Sequence, residues 1–210
     1  MNLEQTHIAV FCKAPVAGRV KTRLIAAYGA QGAANIYTAL AEKTLATVAA
    51  ARETFGMSAS LWVADDAAHA TVQRWSAEHA LPTYTQQGED LGARMSHCLQ
   101  TMHAAGFERA LLIGTDCPAF TPEHLRAAAT ALSPRCPWVF TPSEDGGYVL
   151  VGTVAPDERA FSGIAWSTDA VMAQTRDALR HAGLAWAEMA TLWDVDEPTD
   201  VMRARDAGLL

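Results

Sequence analysis

The stretch Ile8-Ala9-Val10-Phe11-Cys12-Lys13-Ala14-Pro15-Val16-Ala17-Gly18-Arg19-Val20-Lys21-Thr22-Arg23-Leu24 decides how the chain is read. Its first five residues form a short apolar run that ends in Lys-Ala-Pro, the pattern of a buried strand running into a loop. From Leu24 to Thr54 the sequence is rich in Ala, Leu and Glu, with Gly29 and Gly32 as its only breaks, and predicts one or two helices. A strand therefore delivers a basic loop, and a helix follows it.

The same alternation continues outward. Strands are predicted at Ser58 to Ala64, Pro82 to Gln86 and Arg109 to Ile113, with helices at Ala67 to His79 and Leu91 to Ala105. After Gly114-Thr115-Asp116-Cys117-Pro118 a helix begins near Thr121, with Pro122 at its first position. Trp138 to Thr141 and Tyr148 to Val151 predict two strands joined by Ser143-Glu144-Asp145-Gly146-Gly147. A helix at Ser167 to His181, a strand at Leu184 to Met189 and a short terminal helix complete the chain. Strands alternating with helices imply right-handed crossovers and a mostly parallel sheet covered on both faces, an α/β fold. Ligands of such sheets lie beyond the carboxyl ends of the strands, so the Lys13 to Arg23 loop and the Gly114 to Pro118 turn belong on the same side.

Composition narrows the class. At 210 residues, half of them hydrophobic and 19% charged, the chain fits a single α/β domain over residues 1–210. No apolar run approaches the ~18 residues of a membrane span. The first residues carry no secretion signal, so the expected location is the cytoplasm, with no membrane partner. The four cysteines, Cys12, Cys98, Cys117 and Cys136, are scattered and form no Cys-x-x-Cys pair, as expected of reduced and mostly buried thiols. A net charge of −7 disfavours nucleic-acid binding.

Against that acidic background one segment stands out. No acidic residue occurs between Glu4 and Glu42, where the average content would place roughly four, and Lys13, Arg19, Lys21 and Arg23 fall inside the gap. Backbone amides at a helix start favour anions, Gly18 permits close approach, and cations pair with phosphate oxygens. The loop lacks the paired glycines of a Walker A motif, and no Gly-x-Gly-x-x-Gly occurs. Its plainer reading is a solvated basic turn.

Three acidic segments complement the loop. Asp116 ends an apolar strand, where a carboxylate holds Mg²⁺ or caps the next helix; Thr121 already occupies the capping place. In Asp194-Val195-Asp196 the period-two spacing points both carboxylates to one side of an extended backbone, toward a metal or toward solvent as an acidic turn. Asp145-Gly146-Gly147-Tyr148 carries a hairpin signal with glycines that would admit a ligand. No histidine pair at metal-ligand spacing and no Gly-x-Ser-x-Gly elbow occurs, so hydrolase and zinc-protease chemistry find no support. Single histidines such as His97 and His124 read as surface or capping groups.

Taken in order, Phe11-Cys12-Lys13-Ala14-Pro15 with Gly18, Lys21-Thr22-Arg23-Leu24, Gly114-Thr115-Asp116-Cys117-Pro118, Asp145-Gly146-Gly147-Tyr148 and Asp194-Val195-Asp196-Glu197-Pro198 resemble the DUF2064 family. That family is also described as a glycosyltransferase associated with radical-SAM and arsenosugar clusters. It is related to the molybdenum-cofactor and 2-phospho-lactate guanylyltransferases. The resemblance implies a GT-A-like, nucleotide-diphospho-sugar transferase fold: a three-layer sandwich with a metal-bound nucleotide across its N-terminal half. It puts Lys13, Gly18, Arg19, Lys21, Thr22 and Arg23 on the phosphates and Asp116 on Mg²⁺ or Mn²⁺. Asp194 and Asp196 fall where the related guanylyltransferases have Asn-x-Asn-Thr-Pro-Glu-Asp. Gln87 to Met95 resembles a further family segment and brings in Asp90 and Arg94 as nucleotide or acceptor contacts.

The expected activity is metal-dependent transfer from a nucleotide or nucleotide-sugar to a small-molecule acceptor. Several cations beside the phosphates suit nucleotidyl transfer, with Lys13, Lys21 and Asp116 as the catalytic set and Asp194 or Asp196 completing the metal site. Glycosyl transfer, with the acceptor or sugar near Asp145, Gly146, Gly147 and Tyr148, is the alternative. A non-catalytic nucleotide-binding module is the second alternative.

Overall fold

The computed structural model describes residues 3–210. Seven strands form one sheet: β1 (Thr6–Cys12), β2 (Ser58–Val63), β3 (Thr83–Thr85), β4 (Arg109–Ile113), β5 (Trp138–Pro142), β6 (Tyr148–Thr153) and β7 (Trp186–Glu188). Their spatial order is β3-β2-β1-β4-β6-β5-β7. All neighbours pair in parallel except β6, which runs antiparallel to both β4 and β5. The sheet is thus mostly parallel, and β5 and β6 form the hairpin expected from Asp145-Gly146.

Side chains of β1 alternate across the sheet. Ile8, Val10 and Cys12 enter one core with α1 (Ile25–Phe55), α2 (Ala70–His79) and α4 (Pro122–Ala131). Ala9 and Phe11 enter the opposite core with α3 (Leu91–Ala104) and α5 (Val171–Ala182). Strands buried on both faces read as unbroken apolar runs, which is why β1 and β4 were legible as such. The result is three layers, helix on sheet on helix.

The long helix α1 has two buried stripes. Ala34, Tyr37, Ala41, Leu45 and Val48 recur at helical spacing against the sheet. Ala33, Ile36 and Leu40 join Leu24 in a smaller core with Val195 and with Val201 and Ala204 of α6 (Pro198–Asp206). Gly29, with φ 69° and ψ 165°, breaks the helix near its start, where the sequence placed a break.

Element boundaries moved where local hydrogen bonds intervene. Helix α2 starts at Ala70 because the His69 side chain accepts from Thr71 N. Helix α5 starts at Val171 rather than Ser167, since Ser167 has φ 64° and Thr168 is held in a turn by Ala165 O. Leu184 N donates to Leu179 O at the end of α5, which shortens β7 at its leading edge. Thr121 caps α4 in a capping box with His124, and Pro122 follows.

One buried ionisable group lies far from any cation-rich loop. His7 in β1 is 4% exposed, with Nε2 2.7 Å from Ser60 Oγ, which also accepts from Trp62 Nε1 at 3.0 Å. Burial, with the charge of Arg52 adding to it, lowers its pKa from 6.5 to about 4. The unfolded chain therefore takes up this proton before the folded protein does. Stability from neutral His7 is complete above pH 6.5 and is lost as pH falls toward 4, at up to ~1.4 kcal/mol per pH unit. Denaturant titrations between pH 7 and 4.5 should show this slope in the wild type and a flatter one in His7→Gln. Equal slopes would show that His7 is not its source.

Candidate active site

The carboxyl ends of β1 and β4 open onto a cavity of about 670 Å³. Among the predicted residues, Lys13, Arg19, Lys21, Thr22, Arg23, Arg94, Asp116, Tyr148 and Asp196 line it. Its volume is within the usual range for small-molecule sites. The basic loop and the turn after β4 thus meet on one side, as expected for ligand sites of parallel sheets.

Partly buried contacts hold the loop in place. Tyr37 Oη accepts from Lys13 N at 2.7 Å and from Thr115 Oγ1 at 3.3 Å, and donates to Lys13 O at 3.2 Å. Burial keeps this phenol well above its usual pKa, so it remains a donor. Asp65 Oδ1, just past β2, accepts from Ala14 N at 2.8 Å. Neither Tyr37 nor Asp65 was predicted: a tyrosine on an apolar helix stripe carries no spacing signal, and its partners lie in distant segments.

The loop's cations divide into two pairs. Lys21 Nζ lies 2.9 Å from Asp116 Oδ1 and 2.8 Å from Asp196 Oδ1, with its side chain only 5% exposed. Burial opposes the ammonium charge, but the Asp116 and Asp196 carboxylates outweigh it and hold the pKa above its usual value. Arg23 Nη1 reaches Asp196 Oδ2 at 3.3 Å and Nε lies 3.8 Å from Glu197 Oε1, on the exposed rim. Lys13 and Arg19 are exposed and have no acidic partner among the described residues, so their charges face the open cleft.

Val195 sets the acidic side. It is fully buried, and its N–H donates to Asp116 O at 2.9 Å. Burying a valine contributes roughly 1.5 to 3 kcal/mol, enough to fix the register of the segment. Asp194 and Asp196, one residue to either side, are turned out of that core as the period-two reading expected. Asp194 Oδ1 accepts from Ser143 Oγ at 2.8 Å. Asp145 sits on the exposed hairpin turn, where its Oδ1 accepts from Gly147 N at 2.9 Å. Gly146, at φ 90°, allows that turn to pass the α5 approach: a β-carbon there would lie 2.0 Å from Asp169 O.

Asp145, Asp194 and Asp196 each bring a carboxylate oxygen within 4.8 Å of the others. Burial raises the pKa of Asp194 to about 6, with Asp145 and Asp196 adding to the rise while Ser143 and Lys21 oppose it. Carboxylates crowded in this way fit a hard divalent cation, which relieves their repulsion through oxygen ligands. Asp116 is not in this group and faces Lys21 instead, so Asp196 alone touches both arrangements.

The other predicted residues lie nearby. Arg94 in α3 donates through Nε to Gly88 O at 3.2 Å. Asp90 is the N-cap of α3, its Oδ1 accepting from Ala93 N at 2.8 Å, and lies outside the cavity lining. Tyr148 packs on Phe140, and its hydroxyl is 3.9 Å from Met95 Sδ. Gly18, at φ 83°, is on the exposed tip of the basic loop, and Gly147 follows Gly146 in the hairpin turn. Cys12, Cys98 and Cys117 are buried free thiols, and Cys136 is partly buried and free. No helix among the described residues is long and apolar enough to cross a membrane.

Comparison with known proteins places this arrangement in a family of folds. A candidate nucleotide-diphospho-sugar transferase from Desulfovibrio desulfuricans G20 is similar over 98% of this chain and 96% of its own, at 26% identity and TM-score 0.82. A nucleotidyl transferase from Methanothermobacter thermautotroptrophicus has 15% identity over 97% of each chain and a TM-score of 0.60. Glucosyl-3-phosphoglycerate synthase from Mycobacterium tuberculosis, in complex with Mn²⁺, UDP and glucosyl-3-phosphoglycerate, has 8% identity over 97% of this chain and 76% of its own, at TM-score 0.55. The fold is therefore the GT-A-like α/β fold of nucleotide-diphospho-sugar transferases, and these neighbours are transferases. No curated protein matches the sequence. Residues 45–168, which include Asp116 and the Asp145 to Tyr148 turn, match the profile of the family described as "Uncharacterized protein conserved in bacteria (DUF2064)". The chain belongs to the DUF2064 family.

Proposed function

We propose that the protein is a metal-dependent, nucleotide-using transferase whose chemistry is nucleotidyl transfer from a nucleoside triphosphate to a small anionic acceptor. The observation that carries this reading is the meeting, at one cavity, of two loop cations without an acidic partner among the described residues and the carboxylates of Asp116 and Asp196, the latter shared with the Asp145–Asp194–Asp196 cluster. Lys13 and Arg19 bind phosphate oxygens first, since neither charge has an acidic partner among the described residues. Lys21 and Arg23 support them from the wall, and Gly18 and Thr22 give the loop its close approach. Arg94 contributes from the start of α3, and Asp90 acts on the nucleotide only through the helix start that it caps. Asp116, Asp194 and Asp196, with Asp145 beside them, hold Mg²⁺ or Mn²⁺. The metal, when bound, neutralises charge on the phosphates.

A nucleotidyl transfer accumulates negative charge at the α-phosphoryl group and on departing pyrophosphate, and preorganised cations stabilise both. An acceptor that is already anionic needs no dedicated base. Gly146, Gly147 and Tyr148 are the acceptor side in this scheme. The resemblance of the sequence motifs to the molybdenum-cofactor and 2-phospho-lactate guanylyltransferases favours the same chemistry. Glycosyl transfer is the second reading, favoured by the Mycobacterium tuberculosis neighbour with UDP and Mn²⁺, and by the radical-SAM and arsenosugar association that the sequence resemblance implies. A purely binding module would leave the acidic cluster without a task.

Calorimetry against a panel of nucleoside triphosphates with Mg²⁺ should detect binding that Lys13→Ala or Arg19→Ala weakens by ~1.5 to 3 kcal/mol each, the range of a charge-assisted hydrogen bond. Binding that is absent at millimolar nucleotide, or indifferent to both substitutions and to Asp116→Ala, refutes the assignment. Tyr37→Phe should lower stability by ~1 to 2 kcal/mol in urea titrations, because it takes the side-chain partner from the partly buried Lys13 N and O. Incubation with donors labelled in the α-phosphate and in the sugar separates the two chemistries. Labelled nucleotide on the acceptor with release of pyrophosphate supports nucleotidyl transfer, and sugar transfer with release of nucleoside diphosphate replaces it with the second reading.

A further inference from the structure

Asp116 and Asp196 already share a cation. The Lys21 ammonium lies 2.9 Å from one and 2.8 Å from the other, nearly sealed from solvent at 5% exposure. A buried ammonium is costly unless carboxylates surround it, and removing it leaves Asp116 without its cation and Asp196 with only the exposed Arg23. The backbone bears this out: Lys21 adopts φ 46° and ψ 48°, a left-handed conformation that a side chain with a β-carbon rarely takes. Asp194 and Asp145 each bring a carboxylate oxygen within 4.8 Å of Asp196, so the surroundings of the ammonium are acidic. A divalent ion between Asp116 and Asp196 would have to occupy the place of Lys21 Nζ or lie against it.

We infer that Lys21 is the resident cation of the Asp116–Asp196 pair: it holds the two carboxylates together in the nucleotide-free protein and keeps a divalent ion from sitting between them. Lys21 is thereby a positioning residue, and a metal ion reaches Asp116 only when phosphate oxygens give the ammonium another anion to bind. Ordered loading of the Asp116–Asp196 pair follows, with nucleotide and metal entering together and metal alone binding weakly there. This inference rests on the reading of the cleft as a metal–nucleotide site, but it concerns the protein without nucleotide and is tested there.

The test uses Mn²⁺ alone, counted by electron paramagnetic resonance of the free ion against the full-length protein. Lys21→Met removes the ammonium and keeps an unbranched side chain one atom shorter, and should tighten Mn²⁺ binding at least about tenfold over wild type, since a like charge is gone from the site. Lys21→Arg keeps the charge and should bind Mn²⁺ as weakly as wild type. Thermal melts establish that each variant is folded. A folded Lys21→Met protein that binds Mn²⁺ no better than wild type overturns the inference, as does Lys21→Arg gaining as much as Lys21→Met. Should Lys21→Met not fold, the ¹⁵Nζ resonance of Lys21 in the wild type decides the matter. Millimolar Mg²⁺ alone should leave it in place, and a shift or loss on adding Mg²⁺ overturns the inference. Nucleotide calorimetry remains independent, so failure here leaves the nucleotide reading standing.

Discussion

The ammonium of Lys21, buried between Asp116 and Asp196, ties together three parts of the chain. It fixes the basic loop after β1 against the turn after β4, and both against the segment that leads into α6. A single buried charge with two partners is a demanding interaction, because each carboxylate must be in place before the ammonium can be desolvated. The loop can be rich in cations without collapsing on the acidic surface because two of its four charges are neutralised internally, leaving Lys13 and Arg19 for a ligand.

The C-terminal segment depends on apolar packing as much as on charge. Val195, Val201 and Ala204 close a small core against Leu24, Ile36 and Leu40, so α1 supports the cleft from below and the C-terminal segment closes it from the side. The rim is reinforced on the outside. Arg203 pairs with Glu144 at 2.7 and 3.0 Å and lies over the Trp193 ring at 4.2 Å, tying the β5–β6 hairpin turn to α6. Such exposed pairs add little stability individually, and their effect here is to limit how far the hairpin can swing. Asp145 and Asp194 therefore face each other across a junction held at several points.

Much of this was legible in the sequence, and the reasons differ by residue. Strand β4 was read at its observed bounds, because a strand covered on both faces is an unbroken apolar run between a charged residue and a glycine. Thr121-Pro122 announced the start of α4 through capping chemistry that is wholly local. Asp194 and Asp196 were placed on one side because an extended backbone alternates, and the burial of Val195 between them enforces it. Tyr37, Asp65 and Ser143 escaped notice because each acts through a partner remote in sequence. Asp90 was read as a ligand contact, whereas its carboxylate is a helix cap, a role that an Asp directly before a helix commonly takes. The pairing of Lys21 with Asp116 and Asp196 was likewise invisible to spacing, which showed a basic loop and acidic turns but not that one cation was already shared between them.

The central claim is that this junction of loop cations and carboxylates receives a metal-bound nucleotide. Anomalous scattering from a crystal grown with Mn²⁺ and a non-hydrolysable nucleoside triphosphate tests it most directly. The account predicts one or more manganese peaks within coordinating distance of Asp116, Asp194 or Asp196, with the phosphates against Lys13 and Arg19 and the Lys21 ammonium drawn onto a phosphate oxygen. A nucleotide bound away from the cavity, or manganese at none of these carboxylates while nucleotide fills the cleft, would contradict it.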